Sequence, residues 1–212
     1  MKVRFLIAAL LTLAFAAPAF AHPHVWVTMR SQVVYAPDGT ATGVRHAWSF
    51  DDMFSAFATQ GYEGKVKGQF TREELAPLAK VNVESLKDFD YFTYATVDGN
   101  KVRMKEPLPD YYLSFESQVL TLHFTLPFEK PVKAKKLDVD IYDNTIFVSF
   151  EFAKKDPVAL AGAPAGCKLD TVLPREMTFA EGKKLSEIPA DQPNVSMAFG
   201  AQFANKILVN CP

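Results

Sequence analysis

The chain has 212 residues, of which 49% are hydrophobic and 13% aromatic, and its formal net charge is −1. A chain of this length and composition can bury a substantial core within one domain. The near-neutral charge excludes a protein that binds nucleic acid or an anionic membrane through its overall charge, so the function must reside in local groups.

The first 21 residues have the three parts of a secretory signal peptide. A positively charged start is followed by an apolar run over residues 5–17, and Ala19-Phe20-Ala21 matches the small-x-small pattern that precedes a cleavage site. Cuts after Ala16 or Ala19 also fit this pattern, but they lie inside or close to the apolar run. The run is shorter than the roughly 20 residues that a membrane span needs. We therefore expect an exported, soluble protein whose single domain covers residues 22–212.

Cleavage after Ala21 would place metal-ligand chemistry at the new N-terminus. The mature chain would begin His22-Pro23-His24, with a free α-amine and two imidazoles within three residues. These groups have ordinary pKa values of about 8 and about 6.5, so both can lose their protons for ligation near neutral pH. Pro23 has no amide hydrogen, which blocks the copper-binding mode that uses deprotonated backbone amides. A third nitrogen would suit Cu²⁺, and tetrahedral completion by nitrogen or oxygen would suit Zn²⁺.

The remaining sequence predicts an α+β fold. Alternating, β-branched and aromatic segments predict strands at residues 24–35, 43–50, 91–97, 101–105, 111–116, 119–126, 137–142 and 145–153. A short helix is expected at residues 53–60, with Asp51 or Asp52 as its cap. We expect one β-rich domain of mostly antiparallel strands, with a helical insertion at about residues 51–90 and a C-terminal helix over residues 195–208.

The helical insertion contains a second, longer helix. Thr71-Arg72-Glu73-Glu74 has the pattern of a capping box, and the apolar stripe of the helix is expected at Leu75, Leu78, Val81 and Leu86. The preceding segment, residues 63–74, partly matches a twelve-residue calcium loop, with Gly68 at the sixth place and Glu74 at the twelfth. Lys65 and Lys67 occupy places where acidic ligands are needed, and their charge would repel Ca²⁺. The segment is either a calcium loop that has lost its ligands or a chance resemblance.

Two further histidines are candidates for completing a metal site. His46 shares a strand face with Trp48, and His123 shares one with Thr121 and Thr125. The alternative for His46 is a histidine packed beside Trp48, and the alternative for His123 is a sheet histidine without a ligand role. Carboxylates that could complete or orient a metal shell are Asp51, Asp52 and Asp143, although capping is the more ordinary role for the first two.

The two cysteines, Cys167 and Cys211, predict one disulfide. An exported protein folds in an oxidising compartment, where pairing is the default for two cysteines. Metal ligation by this pair is the weaker interpretation, because the residues lack the close spacing of zinc sites.

Several separate blocks of this sequence together resemble the DUF1007 family. They are His22-Pro23-His24-Val25-Trp26-Val27, Trp48-Ser49-Phe50-Asp51, Asn82-Val83-Glu84-Ser85-Leu86, Asp90-Tyr91-Phe92-Thr93, Asp156-Pro157-Val158 and Gly162-Ala163-Pro164-Ala165-Gly166-Cys167. The resemblance extends to about Cys167. It implies a periplasmic protein that works with a nickel/cobalt-type permease in the inner membrane, in some members for zinc uptake. The N-terminal histidines of the family match His22 and His24, whereas Lys65 and Lys67 depart from a loop that is more acidic in many members.

These features lead to one expected function and two alternatives. We expect a periplasmic metal-binding accessory protein, and not an enzyme, that captures zinc, nickel or cobalt through an N-terminal histidine site and supplies an inner-membrane permease. The metal site would draw on His22, His24, His46 and His123, with zinc as the first candidate. The alternatives are a copper enzyme with a histidine brace and a structural interaction domain without metal.

Overall fold

The computed structural model describes residues 23–187 and 197–212. The predicted signal peptide and His22 lie outside these residues. Within them, no helix has the length and apolar character needed to cross a membrane.

The described residues form eleven strands. They are β1 (Val25–Tyr35), β2 (Ala41–Phe50), β3 (Thr93–Val97), β4 (Asn100–Val102), β5 (Tyr112–Glu116), β6 (Val119–Val132), β7 (Lys136–Ile141), β8 (Val148–Phe152), β9 (Val158–Ala161), β10 (Lys168–Val172) and β11 (Asn205–Asn210). The α-helices in the same residues are α1 (Asp52–Ala58), α2 (Ala76–Leu86), α3 (Phe179–Ser186) and the single turn α4 (Met197–Gly200), and 3₁₀ turns occupy Lys87–Phe92 and Ala201–Phe203.

The strands form two sheets. The first sheet has the order β5-β6-β2-β1-β8, and β9 pairs with the same edge of β1 as β8 does. The second sheet has the order β10-β11-β7-β3-β4. Strand pairs are antiparallel, except that β8 and β9 run parallel to β1. The mostly antiparallel α+β fold predicted from the sequence is confirmed.

The core lies between the two sheets. Strands of the first sheet alternate buried and outward residues, and their buried side chains include Met29, Trp48 and Leu122. The second sheet contributes Ile141 and Ile207 to the same apolar cluster. The first sheet therefore presents a largely polar outer face.

The C-terminal part differs in detail from the prediction. The C-terminal helix is present, but it lies at Phe179–Ser186, where Thr178 and Glu181 form a capping box. Of the predicted helix 195–208, residues 195 and 196 lie outside the described residues, and residues 205–210 form strand β11. The reason is period-two burial: Asn205, Ile207 and Val209 point inward while the residues between them do not.

The second helix of the insertion packs through most of its predicted stripe, since Leu75 and Leu78 are buried and Leu86 lies against the core. Leu78, Ala79 and Val83 are its buried residues, whereas Val81 is 60% exposed. The capping box at Thr71 is present, since Thr71 Oγ1 accepts from Glu74 N and Glu74 Oε2 accepts from Thr71 N. The regular helix begins a few residues later, at Ala76.

Candidate functional site

His24 lies at the amino-terminal end of β1 with its side chain exposed. Its backbone N–H donates to the carbonyl of Phe147 at 2.8 Å, and its ring lies 4.6 Å, centroid to centroid, from the ring of Phe147. The aromatic contact and the backbone bond position the imidazole at the surface. The contact with Phe147 was missed from the sequence, because nothing in a local pattern links residues 123 positions apart.

The loop that carries Phe147 is built around the carboxylate of Asp143. This buried group accepts from the backbone N–H of Thr145 at 2.7 Å and of Val148 at 2.9 Å, and also from the Thr145 hydroxyl. Both oxygens are therefore used within the loop. Asp143, proposed from the sequence as a possible metal-shell carboxylate, instead shapes the loop against which His24 rests.

Asp51 performs a similar structural task on the other side of β1. One carboxylate oxygen accepts from Phe54 N at 2.8 Å and caps α1, as the sequence predicted. The other oxygen accepts from Trp26 N at 2.9 Å. The cap thus joins the first turn of α1 to the beginning of β1, two residues from His24.

A cavity of about 420 Å³ opens beside Pro23. Its lining comes mainly from the β7–β8 loop, β8 and the region of α3, and includes Ile146, Phe150, Arg175 and Phe179. The guanidinium of Arg175 pairs with Glu181 at 2.6 Å, so the cation in the lining already has a carboxylate partner. Pro23 therefore lies against a largely apolar depression, next to the exposed His24.

His46 is fully buried in the core, with 1% of its surface exposed. Its Nε2 lies 3.3 Å from Thr93 Oγ1, and the Thr93 hydroxyl donates to the carbonyl of Tyr91. Since that hydroxyl has one hydrogen, Nε2 must donate to Thr93, and Nδ1 accepts from Ser31 Oγ at 2.9 Å. Both nitrogens are used in the neutral tautomer, and burial lowers the pKa of His46 to about 3.

His123 lies on the outer face of the first sheet, half-buried. Its Nε2 is 3.0 Å from Ser114 Oγ, and its ring stacks on Tyr112 at 4.3 Å with 8° between the planes. Partial burial lowers the pKa of His123, and the nearby Arg72 guanidinium lowers it further. An electropositive neighbour disfavours a metal cation as well as a proton at this ring.

The three described histidines do not come together. His46 pairs in register with Ser31, seven residues along β1 from His24, which corresponds to about 23 Å. His123 pairs with Ala47, so it lies on the opposite face of the sheet from His46. No group of three or more His, Cys, Asp or Glu side chains within residues 23–187 and 197–212 is arranged to hold a metal ion.

The remaining sequence motifs have structural roles. Cys167 and Cys211 form the predicted disulfide. In the segment with calcium-loop spacing, Gly68 adopts a φ of +74°, and the Glu74 carboxylate accepts from the backbone N–H groups of Lys65 and Thr71 at 2.9 and 2.8 Å. The carboxylate at the twelfth place thus closes the turn before α2 with both oxygens.

Comparison with known protein families finds a match over nearly the whole chain. Residues 7–211 match the sequence model of a family described as a protein of unknown function, DUF1007. The chain belongs to the DUF1007 family. It is similar to an uncharacterised protein of Haemophilus influenzae, at 23% identity over 194 residues that cover 90% of this chain and 91% of the relative. It is also similar to an uncharacterised 15.5 kDa protein encoded in the trpE 3′ region of Spirochaeta aurantia, at 32% identity over 47% of this chain and 71% of the relative.

Proposed function

We propose that this DUF1007 protein is a periplasmic accessory protein that captures a divalent transition metal at its N-terminus and supplies an inner-membrane permease of the nickel/cobalt type. Zinc is the first candidate for the metal, followed by nickel and cobalt. His22 would ligate through its α-amine and imidazole, and His24 through its imidazole. The metal is the cargo of the protein, so the site must release it as well as bind it.

The observation that carries the proposal is the position of His24 at the start of the fold. Strand β1 begins at Val25, four residues after the predicted cleavage position, so removal of residues 1–21 leaves every described element intact. His24 is exposed while its backbone is hydrogen-bonded to Phe147, which provides one imidazole in a defined place beside the predicted terminus. A site with few protein ligands at a chain end exchanges metal more readily than a closed four-ligand shell.

Apolar surface next to this position supports transfer to a partner protein. The Asp51 carboxylate that caps α1 also accepts from Trp26 N, so the helix begins next to Trp26. In this helix Met53 and Phe57 are 70% and 72% exposed. These two residues are four positions apart and therefore share one face of the helix. Trp26 itself is 44% exposed. Exposed aromatic and methionine side chains are enriched at protein–protein interfaces, as a permease partner would require.

Zinc titration of the exported, metal-free protein tests the proposal. We expect one Zn²⁺ to bind with micromolar or tighter affinity, and the His24→Ala variant to bind at least about tenfold more weakly, because one of three nitrogen ligands is lost. An extra alanine placed before His22 should weaken binding by a similar factor, since the α-amine of His22 then becomes part of a peptide bond and can no longer ligate the metal as an amine. His123→Ala serves as the matched control and should bind zinc like the wild type.

Two results would count against the site. Unchanged zinc affinity in both the His24→Ala variant and the alanine-extended chain would show that the N-terminal groups do not ligate the metal. Tight Cu²⁺ binding accompanied by turnover with reductant and peroxide would favour the copper enzyme instead.

A further inference from the structure

The outer face of the first sheet has a regular arrangement of polar side chains. One row runs across four strands as Arg30, Ala47, His123 and Tyr112, which are paired in register. The next row places Gln32, Arg45 and Thr125 side by side. Arg30 and His123 therefore flank Ala47 on either side, and Arg45 is a diagonal neighbour of both.

The small side chain of Ala47 makes a depression in this face. Ala47 lies on the central strand β2, between an arginine on β1 and an imidazole on β6. Two adjoining cavities of about 470 and 660 Å³ occupy the surface, and both are lined by Arg30, Ala47, Tyr112 and His123. The depression is thus open to solvent and large enough for a small organic molecule.

One wall of the depression is a stack of three planar groups. The Arg72 guanidinium lies 3.3 Å from the centroid of the Tyr112 ring, and the opposite face of Tyr112 stacks on His123. Tyr112 covers the face of His123 that is turned towards β5, so the other face of the imidazole is turned towards Ala47. Each planar group of the wall is held in contact with the next.

The charges around the depression favour an anion. Among the ion pairs of the described residues, none involves Arg30, Arg45 or Arg72. The outward positions of β1, β2 and β6 around Ala47 hold no carboxylate over residues 28–32, 45–49 and 121–125. Two carboxylates line the cavities on the β5 side, Asp110 before β5 and Glu116 on edge strand β5, against the three arginines Arg30, Arg45 and Arg72. Glu151 lies on edge strand β8 and accepts from Thr28.

We propose that the depression over Ala47 binds a small planar organic anion, such as an aromatic carboxylate. Arg30 and His123 stand on strands separated by one strand, at about 9.6 Å between backbones. A planar group held between two other planar groups needs about 7 Å, so a ring fits between the guanidinium of Arg30 and the free face of His123. The carboxylate of such a ligand would lie towards Arg45, whose only hydrogen-bond partner among the described side chains is Gln32.

This site is independent of the N-terminal metal site. Ala47 pairs with Arg30, six residues along β1 from His24, which is about 20 Å. The arginines of the outer face would repel a metal cation, whereas an anion would form charge-assisted hydrogen bonds with them. The two proposals can therefore fail separately.

Titration with benzoate and benzamide tests the proposal in metal-free buffer. Benzoate should bind saturably and shift the NMR signals of the His123 ring, while benzamide, which has the same shape without the charge, should not bind. Arg30→Gln and Arg45→Gln should each weaken benzoate binding at least about fivefold. Arg103→Gln, an exposed arginine after β4 of the second sheet, is the matched control and should leave the affinity unchanged.

Three results would overturn the proposal. They are the absence of saturable benzoate binding up to about 10 mM, equal binding of benzamide, and equal affinity of the two arginine variants and the wild type. Titration with inorganic phosphate provides a further test. If phosphate binds with the same affinity as benzoate, the site does not select a planar ligand and the proposal is contradicted.

Discussion

His46 shows how burial decides the chemistry of a single histidine. The ring is enclosed by Trp48 and Phe124, and its nitrogens bond to the hydroxyls of Ser31 and Thr93. The sequence offered two roles, a metal ligand and a residue packed beside Trp48. Local pattern could not choose between them, because the choice depends on Thr93, which comes from the opposite sheet.

The buried histidine makes stability depend on pH. The folded pKa of His46 is about 3, below the unfolded value of about 6.5. The unfolded chain therefore takes up a proton first as the pH falls. Above about pH 6.5, His46 is neutral in both states and its titration does not lower the free energy of unfolding. Between about pH 6.5 and pH 3 the unfolded chain binds the proton and the folded protein does not, so the free energy of unfolding falls by up to about 1.4 kcal/mol per pH unit.

Urea unfolding at several pH values checks this dependence. The wild type should lose stability more steeply between about pH 6.5 and pH 4 than a His46→Gln variant, which has no group to protonate there. His24→Gln, which changes an exposed histidine, is the control and should keep the steep slope. Parallel pH profiles for the wild type and His46→Gln would contradict the assignment.

At the scale of elements, the Asp51 carboxylate joins β1 to α1. It caps the helix through Phe54 N and also accepts from Trp26 N, so Asp51→Ala should lower the free energy of unfolding by about 1–2 kcal/mol. Asp52→Ala, at the exposed first helical position, should change it by less than about 0.5 kcal/mol. Chemical denaturation of both variants measures the difference, and equal losses would show that the cap is not specific to Asp51.

The predictability of each element follows from the strength of its local pattern. β1 and β2 were predicted from long alternating segments, and the Asp51 cap and the capping box at Thr71 came from short side-chain rules. β11 was missed because residues 205–210 alternate over only a few positions after a helical turn. β9 and β10 were missed because they are short edge strands whose pairing partners lie far away in the sequence.

At the scale of the whole molecule, the disulfide closes the C-terminal segment onto the domain. Cys167 and Cys211 are 44 residues apart, and they flank β10 and β11 at the end of the second sheet. The chain-entropy relation predicts that a Cys167→Ser/Cys211→Ser variant loses about 4 kcal/mol of unfolding free energy. Denaturation of this variant and of the wild type, with and without reductant, provides the measurement. The reduced wild type should match the variant, and equal stability of the oxidised wild type and the variant would contradict a stabilising bridge.

The two candidate sites differ in how far the sequence could reveal them. The N-terminal histidines were visible because they adjoin a signal-peptide pattern within a few residues. The outer-face site combines Arg30, Arg45, Arg72, Tyr112 and His123, which come from four strands and a loop. Only strand register brings these side chains together, and register across several strands cannot be read from one sequence.

The most direct test of the proposed function is native mass spectrometry of the exported protein, with Zn²⁺, Ni²⁺, Co²⁺ and Cu²⁺ added in turn. The proposal predicts a mass that begins at His22 and retains one Zn²⁺, Ni²⁺ or Co²⁺ ion. Cu²⁺ should be retained as well, because amine and imidazole nitrogens bind it more tightly than the other three ions. A mass that begins at Ala17 or Phe20, or a protein that retains none of the four ions, would contradict it.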